Sequence, residues 1–172
     1  GLGGGTLPSW MLSELPSLKH LTVSEIDTTV CEAASSFFGF DAADARVSLH
    51  CGNGLDCLRE MRGRQEQVQL LVLDAGEPTD TTLGTQAPPS DFWGPEAAEL
   101  MSSVVVEGGV LAVNALVESE QTFLELLQPL QEHFPDVVYL DNTDVSHAWQ
   151  RTPPTRIALC FKLLVSSAGP PR

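Results

Sequence analysis

Short apolar runs alternate along the chain with segments in which apolar residues recur at helical spacing. Six runs have the length and composition of β-strands: HLTVSEI (20–26), RVSLHC (46–51), VQLLVLDA (68–75), GGVLAVNAL (108–116), DVVYLD (136–141) and RIALCFKLL (156–164). Five further segments have helical patterns: SWMLSEL (9–15), DTTVCEAASSFFG (27–39), GLDCLREMRG (54–63), GPEAAELMSSVV (94–105) and SEQTFLELLQPLQEHF (119–134). The alternation predicts an α/β fold in which helices cover both faces of a mostly parallel sheet.

The pattern also predicts strand directions. The runs at 70–74 and 110–116 are apolar almost throughout, as central parallel strands are. The last two strands are joined only by the irregular stretch 142–155, so we expect this pair to be antiparallel.

The longest helical segment carries two local signals. Ser119 is placed to cap its first turn. Pro129 lies inside the pattern, where a missing N–H and the bulk of the ring predict a kink or a break.

The chain is long enough for one sizeable core. We expect one domain over residues 1–165 and a disordered tail over residues 166–172. No apolar run reaches the roughly 20 residues of a membrane span, and nothing resembles a signal peptide. The free cysteines described below are typical of a reducing cytosol, so a cytoplasmic protein is expected.

The chain is strongly acidic. Asp and Glu outnumber Lys and Arg by 23 to 9, for a net charge of −14. This charge argues against binding to a phosphate backbone and suits a cationic partner, such as a basic protein or a polyamine. The alternative is that the charge only keeps the domain soluble.

Cysteine and histidine spacing gives no metal signature. The four cysteines lie in otherwise apolar segments and predict buried free thiols in a reducing compartment: Cys31, Cys51, Cys57 and Cys160. The four histidines are too scattered for a catalytic or metal set.

Ligands of open α/β sheets bind at the carboxyl ends of the strands. Gly3, Gly4 and Gly5 in the opening GLGGGTLP let the backbone approach a ligand closely. Glu25 follows about 20 residues later, where an acidic group receives ribose hydroxyls. The alternative for the glycines alone is an exposed terminal linker.

Polar residues at three further strand ends are candidates for the same site. Asn53, between two glycines, can bind an adenine edge, or it only forms an Asn-Gly turn. Asp74 and Glu77 follow a strongly apolar run and place two carboxylates where chemistry is expected. The alternative for a single aspartate at this position is that it simply caps a helix. Asn114 interrupts an apolar strand, so it is either bonded internally or faces the ligand.

These residues resemble a known family. GLGGG, SEID (24–27), NGLD (53–56) and LLVLDAGEP (70–78) are similar to the spermidine-synthase-like branch of the S-adenosylmethionine-dependent methyltransferases. The closer resemblance, over about residues 1–164, is to the C-terminal methyltransferase domain of the methyltransferase-like protein 13 family, the dual elongation factor 1-alpha lysine and N-terminal methyltransferases. It is carried by GLGGGTLP, FFGF (37–40), GGVLAVNALV (108–117) and a spaced set comprising Thr82, Leu83, Gly84, Pro88, Pro89 and Phe92.

The resemblance implies a seven-stranded methyltransferase sheet with an antiparallel last strand and S-adenosylmethionine as the cofactor. The central first strand of that sheet would precede Gly1, so we expect a fragment whose first glycines are less ordered than their role requires.

The resemblance also implies roles for individual residues. Gly1, Gly3 and Gly5 would border the methionine moiety and the ribose. Glu25 would hold the ribose hydroxyls, with Ile26 against the adenine. The remaining candidates for the cofactor are Gly4, Asn53, Gly54 and Asp74, and those for catalysis are Asp74, Glu77 and Asn114.

The chain departs from the family pattern at two positions. Asn53 stands where the family usually has aspartate. Gly76 replaces the second acid of the Asp-x-Asp motif, whereas Asp74, Glu77 and Pro78 follow the Asp-x-x-Asp-Pro spacing of spermidine synthases.

The expected reaction is methyl transfer to an N-terminal or lysine amine of a basic protein similar to elongation factor 1-alpha, with the loop 79–93 forming the acceptor wall. Two alternatives remain: an aminopropyltransferase that uses decarboxylated cofactor and a polyamine, and a non-catalytic binding domain. The sequence does not specify an oligomeric state.

Overall fold

The computed structural model describes residues 1–76, 85–117, 119–141 and 155–163 of the chain. It contains two compact units, Gly1–Glu60 and Met61–Arg172. The residues outside the described ranges are 77–84, which include Glu77, residue 118, the stretch 142–154 and residues 164–172, which include the predicted tail.

The first unit is built from helices and parallel strands in alternation. Its elements are α1 (Thr6–Glu14), β1 (Leu21–Glu25), α2 (Thr28–Phe37), β2 (Val47–Cys51) and the first part of α3 (Gly54–Gly63). Strands β1 and β2 are parallel, with Val23 opposite Leu49 and Glu25 opposite Cys51. Because Glu25 and Cys51 end these strands, the residues that follow emerge at the same edge of the sheet.

Short polar side chains start two of these helices. The carboxylate of Asp27 accepts from the Thr29 N–H at 2.8 Å at the start of α2. The Oδ1 of Asn53 accepts from the Leu55 N–H at 2.8 Å at the start of α3. Each bond satisfies a first-turn N–H that has no partner inside the helix.

The core of the first unit is small. It is formed by Leu2, Val23, Ala34 and Phe40, with partly buried aliphatic residues packed around them. Leu2 lies in the glycine-rich segment itself, so burial of its side chain fixes the start of that segment against β1 and α2.

Among the described residues, the second unit contains a five-stranded sheet, two complete α-helices and a short 3-10 helix, Ser90–Phe92. Its strands are β3 (Val68–Leu73), β4 (Thr85–Ala87), β5 (Val105–Val117), β6 (Asp136–Asp141) and β7 (Thr155–Phe161). Their order is β3-β5-β7-β6, and β4 pairs with the end of β5. Strands β3 and β5 are parallel, while β7 runs antiparallel to both β5 and β6. The predicted directions of the central pair and of the last two strands are therefore confirmed.

Helices α4 (Pro95–Val104) and α5 (Glu120–Gln131) pack against β5. Alternate side chains of β5 are fully buried: Leu111, Val113, Ala115 and Val117. Phe123 of α5 is also fully buried, and its ring meets that of Tyr139 edge-on at 5.5 Å. The period-two burial of β5 fits a sheet face covered by helices.

The local predictions for α5 have different outcomes. The hydroxyl of Ser119 accepts from the Thr122 N–H at 3.0 Å, which confirms the predicted cap. A break at Pro129 is wrong, because α5 continues through Pro129 to Gln131. Pro129 removes one helical bond, the one to the carbonyl of Glu125 four residues earlier, and α5 continues without it.

All six strands and five helices predicted from the sequence are found among the described residues. Helix α1 begins at Thr6 rather than Ser9, and β5 begins at Val105, earlier than the predicted run. The sequence did not predict β4. The described strands form two separately hydrogen-bonded sheets, and the single seven-stranded sheet stays a prediction, as does the single domain over residues 1–165.

The described helices include none with the length and apolar character that crossing a membrane requires.

The packing of α5 gives a first prediction. Phe123→Ala removes a fully buried ring and should lower the free energy of unfolding by about 3–5 kcal/mol. Leu124, the next residue on the same helix, is 38% exposed, so Leu124→Ala should cost less than about 1 kcal/mol. Urea unfolding, monitored by circular dichroism, measures the unfolding free energy of both variants. Equal losses for the two variants would contradict the packing described for α5.

Candidate functional site

Glu25, the last residue of β1, holds the glycine-rich segment by its carboxylate. Its Oε2 accepts from the Leu2 N–H at 2.9 Å and from the Gly3 N–H at 3.3 Å. Its Oε1 accepts from the Asp27 N–H at 3.1 Å. The predicted glycines and the predicted acid are therefore brought together, more than 20 residues apart in sequence.

Two glycines of the segment have positive φ, for different structural reasons. Gly5 has φ 77° at the start of α1, and a Cβ built there would lie 2.7 Å from the Cβ of Phe40. Gly3 has φ 52°, and a Cβ built there would meet no atom of the described residues within 4 Å. Gly5 is thus required by packing, whereas Gly3 leaves open space above the backbone.

Burial raises the pKa of Glu25, but the N–H groups of Asp27, Leu2 and Gly3 outweigh this effect and hold the pKa below its ordinary value of 4.5. Glu25 is therefore a carboxylate at neutral pH, which matches an acceptor of hydroxyl hydrogen bonds.

The end of β2 is tied to the end of β1. The Gly52 N–H donates to the carbonyl of Glu25 at 2.7 Å, and the Ser24 hydroxyl donates to the carbonyl of Gly52 at 3.0 Å. Ser24 was not predicted as a site residue, and its only sequence signal is its position beside Glu25. These bonds fix the backbone that leads into Asn53.

Asn53 follows directly and uses its amide oxygen to cap α3. This capping role is close to the alternative prediction for Asn53, in which it only forms an Asn-Gly turn. None of the described residues accepts a hydrogen bond from its Nδ2, so Asn53 offers a free amide donor at this position. Ile26, placed against the adenine by the resemblance, has a side chain that is 71% exposed.

In the second unit, Asp74 and Asn114 form a direct contact. Asp74 follows β3 and Asn114 lies on β5, and the Asn114 Nδ2 donates to the Asp74 Oδ1 at 2.8 Å. The Oδ1 of Asn114 is buried and has no hydrogen-bond partner among the described residues. A buried acceptor without a donor is costly, so this oxygen is a candidate for contact with a ligand.

The predicted acceptor side of the site, Glu77 and the loop 79–93, is described only in part. Glu77 lies outside the described residues. Of the loop 79–93, residues 85–93 are described, and there the Trp93 Nε1 donates to the carbonyl of Pro88 at 3.1 Å.

The cysteines correct one expectation. All four are free thiols, as predicted, and Cys31, Cys57 and Cys160 are buried, but Cys51 is exposed. Cys51 ends a strand, so its side chain leaves the core where the chain turns toward Asn53. Its Sγ donates to the Sγ of Cys31 at 3.0 Å. A cysteine on the helix after one strand and another at the end of the neighbouring strand were the available signal for this pair.

No metal site was predicted. Among the described residues there is no cluster of three or more His, Cys, Asp or Glu side chains that could bind a metal ion.

No protein-family model matches the chain. The eEF1A lysine and N-terminal methyltransferase of Mus musculus is 29% identical over 135 residues, a match that covers 78% of this chain and 19% of that protein. The chain thus spans about a fifth of the length of the curated relatives it matches.

Solved structures show the same fold. Human methyltransferase-like protein 13 in complex with SAH aligns with a TM-score of 0.79 at 24% identity, over 99% of this chain and 72% of that one. Spermidine synthase from Thermotoga maritima aligns with a TM-score of 0.68 at 16% identity, over 94% of this chain and 52% of that one. The chain therefore has the Rossmann-like fold of class I methyltransferases, and the resemblance inferred from its sequence is confirmed.

The hydrogen bonds of Glu25 give a prediction about pH. Because the folded-state pKa of Glu25 lies below 4.5, its carboxylate contributes stability above that pH, and the contribution is lost as pH falls through the folded-state pKa. Glu25→Gln should therefore lower the unfolding free energy at pH 7 and lower it less at about pH 3. Urea unfolding at both pH values measures the difference. The exposed Glu32, changed to Gln, is the matched control, and an equal pH dependence for both variants would contradict the role of Glu25.

Proposed function

We propose that this chain is the catalytic part of an S-adenosylmethionine-dependent N-methyltransferase that acts on a protein amine. The observation that carries the proposal is the bonding of Glu25, at the end of β1, to the N–H groups of Leu2 and Gly3. It joins an ionised acceptor to an open glycine backbone in a chain similar to the named methyltransferases.

The residues of the first unit fit a nucleoside cofactor. The Oε1 of Glu25 accepts one protein hydrogen bond, and a carboxylate oxygen has capacity for a second, such as one from a ribose hydroxyl. The open space above Gly3 admits the group attached to that ribose. The exposed side chain of Ile26 offers an apolar surface for a base. Gly1, Gly4 and Gly54 complete the proposed binding backbone.

Asn53 alters how the base would be read. Its Oδ1 is occupied by the Leu55 N–H, so the side chain presents mainly the Nδ2 donor. An adenine ring nitrogen is an acceptor and fits that donor, whereas the exocyclic amino group of adenine would need an acceptor. We therefore assign Asn53 to a ring nitrogen of the base.

When bound, S-adenosylmethionine supplies an electrophilic methyl group, and the protein has to bring an amine nitrogen in line with it. Asn114 donates to one carboxylate oxygen of Asp74, which fixes that carboxylate. The other oxygen of Asp74 and the buried Oδ1 of Asn114 are then acceptors for the N–H groups of the amine. We propose Asp74 as the group that orients the ammonium and accepts its proton, directly or through water, with Glu77 as a second carboxylate and Asn114 as the residue that positions Asp74.

The proposed acceptor is an amine of a basic protein in the cytoplasm. A protein α-amino group has a pKa of about 8 and lysine of about 10.4, so an N-terminus loses its proton more readily. The net charge of −14 favours a basic partner. The similar mouse protein is named for eEF1A, which makes an eEF1A-like protein the first substrate to test. Residues 79–93 are the proposed acceptor wall.

One alternative is an aminopropyltransferase. The structural similarity to spermidine synthase and the spacing of Asp74 and Glu77 favour it. Decarboxylated S-adenosylmethionine with putrescine, offered in parallel with S-adenosylmethionine and a protein substrate, separates the two reactions by mass spectrometry of the products.

The other alternative is a non-catalytic binding domain, which the departures at Asn53 and Gly76 favour.

Calorimetric titration with S-adenosylmethionine is the first test of the proposed function. We expect saturable binding to the chain and weaker binding to Glu25→Ala, with Glu32→Ala unchanged. Absence of binding in a chain that is folded by circular dichroism would overturn the methyltransferase assignment.

The contact between Asp74 and Asn114 gives a prediction for the reaction. Asp74→Asn should lower the rate of methyl transfer about 100-fold, the usual scale of a lost general base. Asn114→Ala should lower it less, since Asp74 remains. In both variants the rate should fall by a larger factor than the cofactor affinity. Single-turnover transfer of labelled methyl measures the rate, and Asp136→Asn, an exposed strand carboxylate of the same unit, is the control. Full activity of Asp74→Asn would remove Asp74 from the mechanism.

A further inference from the structure

The geometry points to a reversible disulfide between Cys31 and Cys51 that controls the end of β2, and through it the binding of ligand at Glu25 and Asn53. The disulfide and its local effect stand on the structure of the first unit alone. Its effect on S-adenosylmethionine rests on the function proposed above.

The two thiols are already in contact. Cys31 lies in the first turn of α2, where its N–H donates to the carbonyl of Asp27, and Cys51 is the last residue of β2. Their sulfur atoms are 3.0 Å apart, so the sulfurs must approach by about 1 Å to reach a disulfide bond length of about 2.05 Å. A shift of that size is within reach of side-chain rotation and a small movement of the strand end.

Exposure sets the order of the chemistry. Cys51 is exposed, whereas Cys31 is 6% exposed, so an oxidant such as hydrogen peroxide meets Cys51 first. Burial, the hydrogen bond from Cys51 and the charges of Cys51 and Glu25 together raise the pKa of Cys31 to about 12. Cys31 is therefore not the thiol that is oxidised first, and its position 3.0 Å from the sulfur of Cys51 makes it the resolving thiol.

The disulfide forms in two steps. Hydrogen peroxide oxidises the Cys51 thiol to a sulfenic acid and is reduced to water. The sulfur of Cys31 then attacks the sulfur of Cys51. The S–O bond breaks, and the leaving hydroxide takes the Cys31 proton to form a second water. Two electrons pass from the thiols to the peroxide, and a reducing thiol returns them.

The disulfide would act at the backbone that carries the proposed site. Cys51 lies opposite Glu25 in the parallel pair. The next residue, Gly52, donates to the Glu25 carbonyl at 2.7 Å and accepts from the Ser24 hydroxyl at 3.0 Å. Movement of Cys51 toward α2 therefore displaces Gly52 and Asn53 relative to Glu25. We expect oxidation to weaken cofactor binding roughly tenfold, since displacements of about 1 Å at a site have effects of this order or larger.

Peptide mapping tests the bond itself. Trypsin leaves Cys51 and Cys57 in one peptide, 47–59, so the chain carries Cys57→Ala as the background. After peroxide treatment of the folded chain, a linked peptide joining Cys31 to Cys51, lighter by two hydrogens, should form and should disappear on reduction with dithiothreitol. Cys160 should remain alkylatable after unfolding. Absence of the linked peptide would overturn the proposal.

Two further measurements test the consequence. Amide hydrogen exchange over residues 51–55 should differ between the oxidised and reduced chains, and the dissociation constant for S-adenosylmethionine should rise on oxidation. Because peroxide also oxidises methionine, Cys51→Ser in the same background is treated in parallel and should show neither change. A disulfide that forms without altering exchange would overturn the control of the strand end, and altered exchange with unchanged affinity would overturn the control of ligand binding. If the reduced chain binds no S-adenosylmethionine, the proposed function fails, while the mapping and exchange results still decide the disulfide and its local effect.

Discussion

The carboxylate of Glu25 is the interaction on which the first unit depends. It collects the N–H groups of Leu2, Gly3 and Asp27, and thereby joins the glycine-rich segment, the end of β1 and the turn into α2. Leu2 is buried in the same core as Val23 and Phe40, so apolar packing and a charged hydrogen-bond acceptor hold the segment from two sides. Ionisation of Glu25 is consequently both a structural requirement and the property that a hydroxyl-binding group needs.

In the second unit, the long strand β5 has the corresponding role. One set of alternate residues is buried beneath α4 and α5, and pairing with β3, β4 and β7 fixes its position. Asn114 belongs to the other set and directs its amide to Asp74. The buried Oδ1 of Asn114 has no hydrogen-bond donor among the described residues, and an unsatisfied buried acceptor lowers the stability of the folded chain. This cost is a physical reason to connect Asn114 with a ligand rather than with folding alone.

Much of the fold could be predicted because its signals are periodic. Alternation of apolar runs with helical patterns predicted every described element except β4 and the short 3-10 helix Ser90–Phe92, and the absence of a crossover helix before the last strand predicted its direction. Strand β4 was missed because three residues carry no period. The break expected at Pro129 was wrong because the proline removes only one helical bond, and the buried Phe123, Leu127 and Leu130 hold the helix by packing on both sides of it. The candidate site was predicted only as a set of strand ends, and the roles of its residues stay proposals.

Hydrophobic period and turn residues are local properties, so the sequence is enough to predict which residues lie at the ends of the strands. Which atoms of those residues are already bonded depends on the packed fold. The Oε2 of Glu25 is committed to Leu2 and Gly3, the Oδ1 of Asn53 to Leu55, and the Sγ of Cys51 to Cys31. Most of these bonds join residues about 20 positions apart, and their formation depends on ångström-scale distances that no sequence period encodes.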